Sequence, residues 1–153
     1  MQNTNIHIRR ARQTDLPGIC AIEHELFPDP WDESAFRDAL YLFPGLFFVA
    51  EMGRELIGII SAGMEDTGEA VYGHIMNIAV KTSSQRQGAG RKLLQRIEFE
   101  SMVLGAEGVQ LEVRVSNNDA QRFYQKYGYT QVFMVDSYYS NGEDAVLMMR
   151  WFT

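Results

Sequence analysis

Apolar residues recur along this chain with two spacings, the alternation typical of a strand and the three-to-four-residue repeat typical of a helix. Strand-like runs occupy residues 6–10, 46–52, 56–64, 71–80, 109–115, 130–139 and 144–151. Helix-like runs occupy residues 15–26, 33–40, 88–104 and 118–127. The pattern therefore predicts an α/β (α+β) protein in which helices flank a sheet of about seven strands.

The connections between these runs predict how the strands pair. A helix between the strands at 71–80 and 109–115 implies a right-handed crossover that joins parallel strands. Hairpin turns are predicted at residues 53–55 and at Asn141-Gly142, and such turns join antiparallel strands. We therefore expect a mixed, mostly antiparallel sheet with a central parallel pair.

Local signals predict where the helices begin and which face they bury. Thr14 is expected to cap the first helix, with Pro17 in its first turn, and Asp32 is expected to cap the second. The third helix carries four apolar residues at helical spacing, which should share one buried face: Leu93, Leu94, Ile97 and Leu104.

Composition indicates one globular domain spanning residues 1–153, since 46% of the residues are hydrophobic and 22% are charged. No apolar run approaches the ~20 residues that cross a bilayer, and the first eleven residues lack the apolar core of a signal peptide. We therefore expect a cytoplasmic protein that does not bind membranes. The sequence carries no signal for a particular oligomeric state.

The net charge of −6 counts against a nucleic-acid-binding protein, which usually carries a basic face, and mildly favours a cationic substrate. The single cysteine, Cys20, has no partner for an internal disulfide, which fits a reducing compartment. The three histidines are scattered along the sequence, so no metal site is expected.

The most informative segment lies between the fourth predicted strand and the third predicted helix. Residues 85–91 read Gln-Arg-Gln-Gly-Ala-Gly-Arg, so Gly88 and Gly90 stand at a strand-to-helix junction between two arginines. Glycines let the backbone approach a ligand, and a helix N-terminus presents free N–H groups to it. The segment favours a site for a phosphorylated cofactor, while a tight packing turn explains the glycines equally simply. Leu93 replaces the third glycine of a dinucleotide fingerprint, and the Gly-Lys-Ser/Thr of a P-loop does not follow.

This Gln-x-x-Gly-x-Gly pattern after an apolar strand resembles the acetyl-CoA pyrophosphate loop of the GNAT acyltransferase superfamily. Three further runs resemble its RimI-like branch, the ribosomal-protein-alanine N-acetyltransferases: Asn-Ile-Ala-Val at 77–80, Leu-Glu-Val-Arg-Val-Ser-Asn at 111–117 and Phe-Tyr-Gln-Lys-Tyr-Gly-Tyr at 123–129. The resemblance is strong over residues 74–148 and weaker toward the N-terminus. It implies the GNAT fold and acetyl-CoA as the acyl donor.

Two residues are candidates for catalysis. In the strand at 109–115, apolar residues alternate with Gln110, Glu112 and Arg114, so one face of the strand is polar. That face fits either a cleft or an exposed surface, and the resemblance implies that Glu112 is a general base. Tyr124 lies on an aromatic stripe that suits a helix core, whereas the resemblance implies that it is the general acid for the departing thiolate.

The resemblance also implies which residues contact the cofactor. Backbone groups of the fourth strand would bind the pantetheine arm, the loop would bind the pyrophosphate, and an asparagine that also suits a helix cap would bind the arm. These residues are Ile78, Ala79, Val80, Arg86, Gln87, Gly88, Ala89, Gly90, Arg91 and Asn117.

Acceptor recognition is expected from Phe27 and Pro28 after the first helix and from Tyr138 and Tyr139 near the last hairpin, and the alternative is that these residues form minor cores under loops. The predicted function is transfer of acetyl from acetyl-CoA to a primary amine by direct attack, most simply the N-terminal α-amino group of a protein. A GNAT enzyme for a small amine, such as a polyamine or amino sugar, and a non-catalytic acyl-CoA-binding regulator are the alternatives.

Overall fold

The computed structural model describes residues 5–153, which contain seven strands and four α-helices. The strands are β1 (Ile6–Arg10), β2 (Phe47–Met52), β3 (Glu55–Asp66), β4 (Val71–Val80), β5 (Gly108–Arg114), β6 (Thr130–Val135) and β7 (Ala145–Trp151). The helices are α1 (Leu16–Leu26), α2 (Glu33–Leu42), α3 (Ala89–Val103) and α4 (Asn118–Lys126). None of the helices in the described residues is long and apolar enough to cross a membrane.

The seven strands form one sheet in the order β1-β2-β3-β4-β5-β7-β6. β4 and β5 are parallel, with Tyr72 opposite Gly108 and His74 opposite Gln110. Four neighbouring pairs are antiparallel: β1 with β2, β2 with β3, β5 with β7, and β6 with β7. The predicted mixed, mostly antiparallel sheet with one parallel pair is therefore confirmed.

The chain divides into two compact parts, each described by itself below. The first part comprises the chain up to Gly63 together with Met76–Glu100, and the second comprises Met64–Ile75 together with Ser101–Thr153. The expectation of a single domain over residues 1–153 stays a prediction.

The core of the first part forms where α1 and α2 pack on the sheet. Leu16, Ile19 and Ile22 recur at helical spacing in α1 and are buried there with Phe36 of α2. The cluster also contains the strand residues Phe47, Val49, Ile59 and Ala79, together with Ala11. Each such side chain removed from water stabilises the fold by about 1.5–3 kcal/mol before entropic costs.

The second part contains buried residues on the apolar face of β5 and in α4. Val109, Leu111 and Val113 are buried, as their alternation predicts. Tyr124 is buried too, and its ring meets Tyr129 edge to face at 5.7 Å. β5 therefore buries its apolar side chains, while the intervening positions carry Gln110, Glu112 and Arg114.

Two predictions about the ends of helices are wrong, one for the start of α1 and one for the end of α3. Thr14 does not cap α1, because it lies in a 3₁₀ turn, Gln13–Asp15, and α1 begins at Leu16. Asp15 accepts from the Arg12 N–H at 2.7 Å and so closes that turn before the helix starts. Leu104 lies beyond the end of α3 and is 58% exposed. The predicted Asp32 cap of α2 is confirmed by a bond from the Ala35 N–H at 2.9 Å.

The last hairpin is shorter than predicted, since β6 ends at Val135 and β7 begins at Ala145. Ser137 has a φ of +50°, a left-handed conformation that ends the strand. Its N–H donates to Asp144 Oδ1 at 2.8 Å. Tyr138 and Tyr139 therefore lie in a loop and not in a strand.

Candidate active site

The loop before α3 has the backbone conformation that its glycines allow. Gly88 has a φ of +92° and Arg86 a φ of +66°, both in the left-handed region that residues other than glycine rarely adopt. Within residues 5–153, apart from Gly88 and its two chain neighbours, no heavy atom lies within 4 Å of the point where a Cβ on Gly88 would stand. The loop backbone is therefore open to close approach by a ligand.

The start of α3 supplies donors for an anion. The first helical bond is donated by the Lys92 N–H to the Gly88 carbonyl at 3.0 Å. The N–H groups of Ala89, Gly90 and Arg91 precede that bond, so the helix itself offers them no acceptor. Three adjacent N–H groups and the positive end of the helix dipole suit a pyrophosphate. Gly90 is not among the glycines with positive φ, so Gly88 makes the turn while Gly90 leaves the first helical turn without a side chain.

Glu112 lies on the polar face of β5 but is not a free surface residue, since its side chain is 14% exposed. His74 on β4 donates from Nε2 to Glu112 Oε1 at 2.8 Å and stands 3.0 Å from Oε2. The Tyr138 hydroxyl donates to the same carboxylate at 3.4 Å. The exposed-surface interpretation of Glu112 is therefore wrong, and the parallel pairing of β4 with β5 is what brings His74 to it.

The second ring nitrogen of His74 also faces a carboxylate. Nδ1 lies 2.9 Å from Glu65 Oε2, and Gln110 donates to the same oxygen at 2.9 Å. An imidazole can donate from both nitrogens at once only when it is protonated. The hydrogen bond with Glu112 is the main cause that raises the pKa of His74, against burial, which lowers it. Two carboxylates flank this one imidazole, so the site is acidic and suits an incoming ammonium group.

Tyr124 is 6% exposed, and Phe123 and Tyr129 pack edge to face against its ring. Burial raises the pKa of Tyr124 well above its ordinary value, with nearby Tyr139 adding to the shift. The hydroxyl is therefore protonated at neutral pH and can donate a hydrogen bond. Both the core interpretation and the hydrogen-bond-donor interpretation of Tyr124 are compatible with this position.

The loop between β6 and β7 holds the two predicted acceptor tyrosines. Their rings meet edge to face at 4.9 Å, and Tyr138 is about half exposed. The Arg114 guanidinium lies 4.0 Å from the centre of the Tyr139 ring and donates to Glu143 at 3.2 Å. Burial raises the pKa of Tyr139 to about 12. The aromatic loop is therefore fixed by a cation–π contact and an ion pair.

The other predicted residues lie as follows. Phe27 packs partly against the core of the first part, as the minor-core alternative expects, while Pro28 is exposed. Ile78, Ala79 and Val80 belong to β4. Asn117 caps α4 by accepting from the Ala120 N–H at 3.1 Å.

His74 and Glu65 were not singled out from the sequence. The available signal was a histidine within an otherwise largely apolar strand that was predicted to pair with the strand of Glu112. Strand pairing alone does not give the register, so the sequence could not place the imidazole beside the carboxylate. Within residues 5–153, no group of three His, Cys, Asp or Glu side chains is arranged to hold a metal ion.

Comparison with known proteins shows which family of proteins this chain belongs to. The Acetyltransferase (GNAT) family matches residues 16–129. An N-alpha-acetyltransferase of Sulfurisphaera tokodaii is 37% identical over 92% of this chain and 90% of its own length. The crystal structure of Ard1 from Thermoplasma volcanium has a TM-score of 0.90 at 25% identity, covering 97% of this chain and 98% of that one.

A second solved structure bears on the predicted branch. The ribosomal-protein-S18-alanine N-acetyltransferase from Escherichia coli has a TM-score of 0.82 at 28% identity, covering 97% of this chain and 95% of that one. This chain belongs to the GNAT acetyltransferase family. It is an acetyl-CoA-dependent N-acetyltransferase, so the predicted fold, enzyme class and acyl donor are confirmed.

Proposed function

We propose that this enzyme acetylates the N-terminal α-amino group of a protein, with Glu112 as the general base. The observation that carries the proposal is the carboxylate of Glu112, which His74 and Tyr138 hold in place while part of it stays open to solvent. An α-ammonium group has a pKa of about 8, so at neutral pH a proton must leave before the nitrogen can attack a thioester. Glu112 takes that proton, directly or through a water.

His74 supports this step by orienting the base. Its protonated ring binds one side of the Glu112 carboxylate and leaves the remaining lone pairs for the substrate. Glu65 holds the opposite side of the ring and so fixes its plane. The deprotonated amine then attacks the acetyl carbonyl directly, and the thioester C–S bond breaks as the amide forms. No covalent acyl-enzyme is needed, and Cys20 lies on α1, away from the family motifs.

Tyr124 is proposed to donate a hydrogen bond to the departing sulfur. A free thiol has a pKa of about 8.5, whereas burial raises the pKa of Tyr124 above that of an ordinary phenol. Complete proton transfer from this phenol to a thiolate is therefore uphill by more than about 2 kcal/mol. The structure thus favours a hydrogen bond that stabilises the thiolate over full general-acid catalysis.

Acetyl-CoA is proposed to bind through backbone groups. The N–H groups at the start of α3, flanked by Arg86, Gln87, Gly88 and Arg91, would hold the pyrophosphate. Backbone groups of Ile78, Ala79 and Val80 would pair with the pantetheine amides as an added strand does. Asn117 uses its oxygen for the helix cap, so its amide N–H₂ is the group that would reach the pantetheine arm.

A protein N-terminus is favoured over a small amine because the chain resembles an N-alpha-acetyltransferase over nearly its full length. The aromatic loop of Tyr138 and Tyr139 and the segment of Phe27 and Pro28 offer surfaces for the first residues of a peptide. An alanine N-terminus of a ribosomal protein is the narrower proposal, supported by the RimI-like sequence runs. We place the reaction in the cytoplasm, where a lone cysteine stays reduced.

The test is a panel of peptides with different N-terminal residues, incubated with acetyl-CoA and read by mass spectrometry, with spermidine and glucosamine beside them. Acetylation confined to peptide α-amino groups supports the proposal, and preference for alanine supports the narrower form. Transfer to spermidine or glucosamine alone would replace it with a small-amine enzyme. Copies of the peptides with a blocked N-terminus and an internal lysine show whether the α-amino group is the acceptor.

A further inference from the structure

Glu23 is a buried charged residue that the proposed mechanism does not use. It lies at the start of the last turn of α1 and is 2% exposed. Its oxygens accept two hydrogen bonds, one from the Trp31 backbone N–H at 3.1 Å and one from the Asn77 side-chain amide at 2.9 Å. Both donors are neutral amides, so neither hydrogen bond supplies a positive charge to the buried carboxylate.

Such a residue is unfavourable for stability alone. Burying a carboxylate costs free energy that two neutral hydrogen bonds only partly offset. Accordingly, burial is the main cause that raises the pKa of Glu23, while the bonds from Trp31 and Asn77 oppose the shift. A leucine of similar volume would avoid the cost of burying a charge, so the two directional bonds are what the carboxylate specifically provides.

The two hydrogen bonds of Glu23 connect α1 to the segment after it and to β4. Glu23 and Trp31 are eight residues apart and enclose the connection between α1 and α2, which contains Phe27 and Pro28. Trp31 is anchored further by its ring, which lies 5.1 Å from that of the buried Phe36. The other bond joins Glu23 to β4 at Asn77, immediately before the strand residues proposed to bind the pantetheine arm.

We propose that Glu23 is a positioning residue that holds the segment at residues 27–31 in the conformation that receives the acceptor peptide. This inference rests on the proposed peptide substrate. Without the carboxylate, the Trp31 N–H loses its acceptor and the segment samples several conformations. Apparent peptide affinity then falls in proportion to the population of the competent conformation, whereas acetyl-CoA binding to the loop before α3 does not.

Two substitutions of Glu23 distinguish the role of its hydrogen bonds from the role of its charge. Glu23→Gln keeps both contacts, because the glutamine oxygen accepts from Trp31 and its amide donates to the Asn77 oxygen once that amide rotates. Glu23→Leu keeps the volume but removes both acceptors. We expect Glu23→Leu to raise the KM for peptide about tenfold or more, with kcat and the Kd for acetyl-CoA within about threefold of wild type. Glu23→Gln should restore all three values.

Controls distinguish this effect from general destabilisation. Ile19→Val truncates a buried residue of the same helix and should lower the melting temperature while leaving the peptide KM unchanged. If Glu23→Leu does not fold, Asn77→Ala removes one of the two bonds and should raise the peptide KM several-fold with the same selectivity.

The outcomes are decisive in each direction. A Glu23→Leu enzyme with an unchanged peptide KM, or with acetyl-CoA affinity lost equally, overturns the inference. So does a Glu23→Gln enzyme as impaired as Glu23→Leu, since the charge itself would then be required. If the wild-type enzyme acetylates no peptide at all, the proposed function fails first and the inference fails with it.

Discussion

Replacing Glu112 with glutamine removes the proposed general base and little else. The substitution keeps the side-chain shape and leaves one oxygen to accept from His74 Nε2, now 2.8 Å from Oε1. Loss of a general base costs about 10²–10⁴-fold in rate. At about 1.4 kcal/mol per tenfold, that is ~3–6 kcal/mol of activation free energy.

The effect of the same substitution on stability should be much smaller. A hydrogen bond to a charged group contributes about 1.5–3 kcal/mol and a neutral one about 0.5–1.5 kcal/mol. Exchanging one for the other in the bond from His74 lowers the free energy of unfolding by ~1 kcal/mol, or about 2–4 °C in melting temperature for a chain of this size. The variant should therefore be folded and bind acetyl-CoA as the wild type does.

The assay is steady-state release of free CoA with a peptide acceptor between pH 6.5 and 9.5, beside calorimetric titration of acetyl-CoA. At pH 7 about a tenth of an α-amino group is neutral and at pH 9 about nine tenths, so the deficit of Glu112→Gln should shrink toward high pH. Glu69→Gln alters an exposed glutamate of the same compact part and should behave as wild type. A Glu112→Gln enzyme within threefold of the wild-type kcat at pH 7 would refute the general-base role.

Four further predictions follow from the same structure. Gly88→Val forces a β-branched residue to a φ of +92°, so titration calorimetry should show acetyl-CoA affinity at least tenfold weaker in a protein that remains folded by circular dichroism. Tyr124→Phe keeps the aromatic packing and should lower kcat with an unchanged melting temperature; a lowered melting temperature with full turnover would instead make Tyr124 a core residue. The raised pKa of His74 means that its ion pairs contribute stability fully below pH 6.5 and lose it as pH rises through the folded-state pKa, so urea denaturation of His74→Gln should lack this decline above pH 6.5. Asp32→Ala removes the cap of α2 and should lower the free energy of unfolding by about 1 kcal/mol without changing kcat.

The fold was predictable to a large extent because local patterns specify it. β1 occupies residues 6–10 as the alternation indicated, and the Asp32 cap was recognisable from one residue type before a helical run. The wrong predictions concern the ends of helices and strands, where local hydrogen bonds compete with the regular structure. Asp15 closes a 3₁₀ turn ahead of α1, and Ser137 adopts a left-handed conformation that ends β6 early. Side-chain bonds of this kind depend on neighbours that the pattern of apolar residues does not describe.

By itself, the sequence determined the open turn at Gly88 and the donors at the start of α3, since both arise from bonds between residues a few positions apart. It also determined that β4 and β5 are parallel, because a helix connects them. Only the tertiary structure decided that His74 meets Glu112, 38 residues away, and that Glu23 meets Asn77, 54 residues away. Those contacts depend on strand register and helix packing, since a shift of one residue in the register of β4 would turn His74 and Asn77 to the opposite face of the sheet.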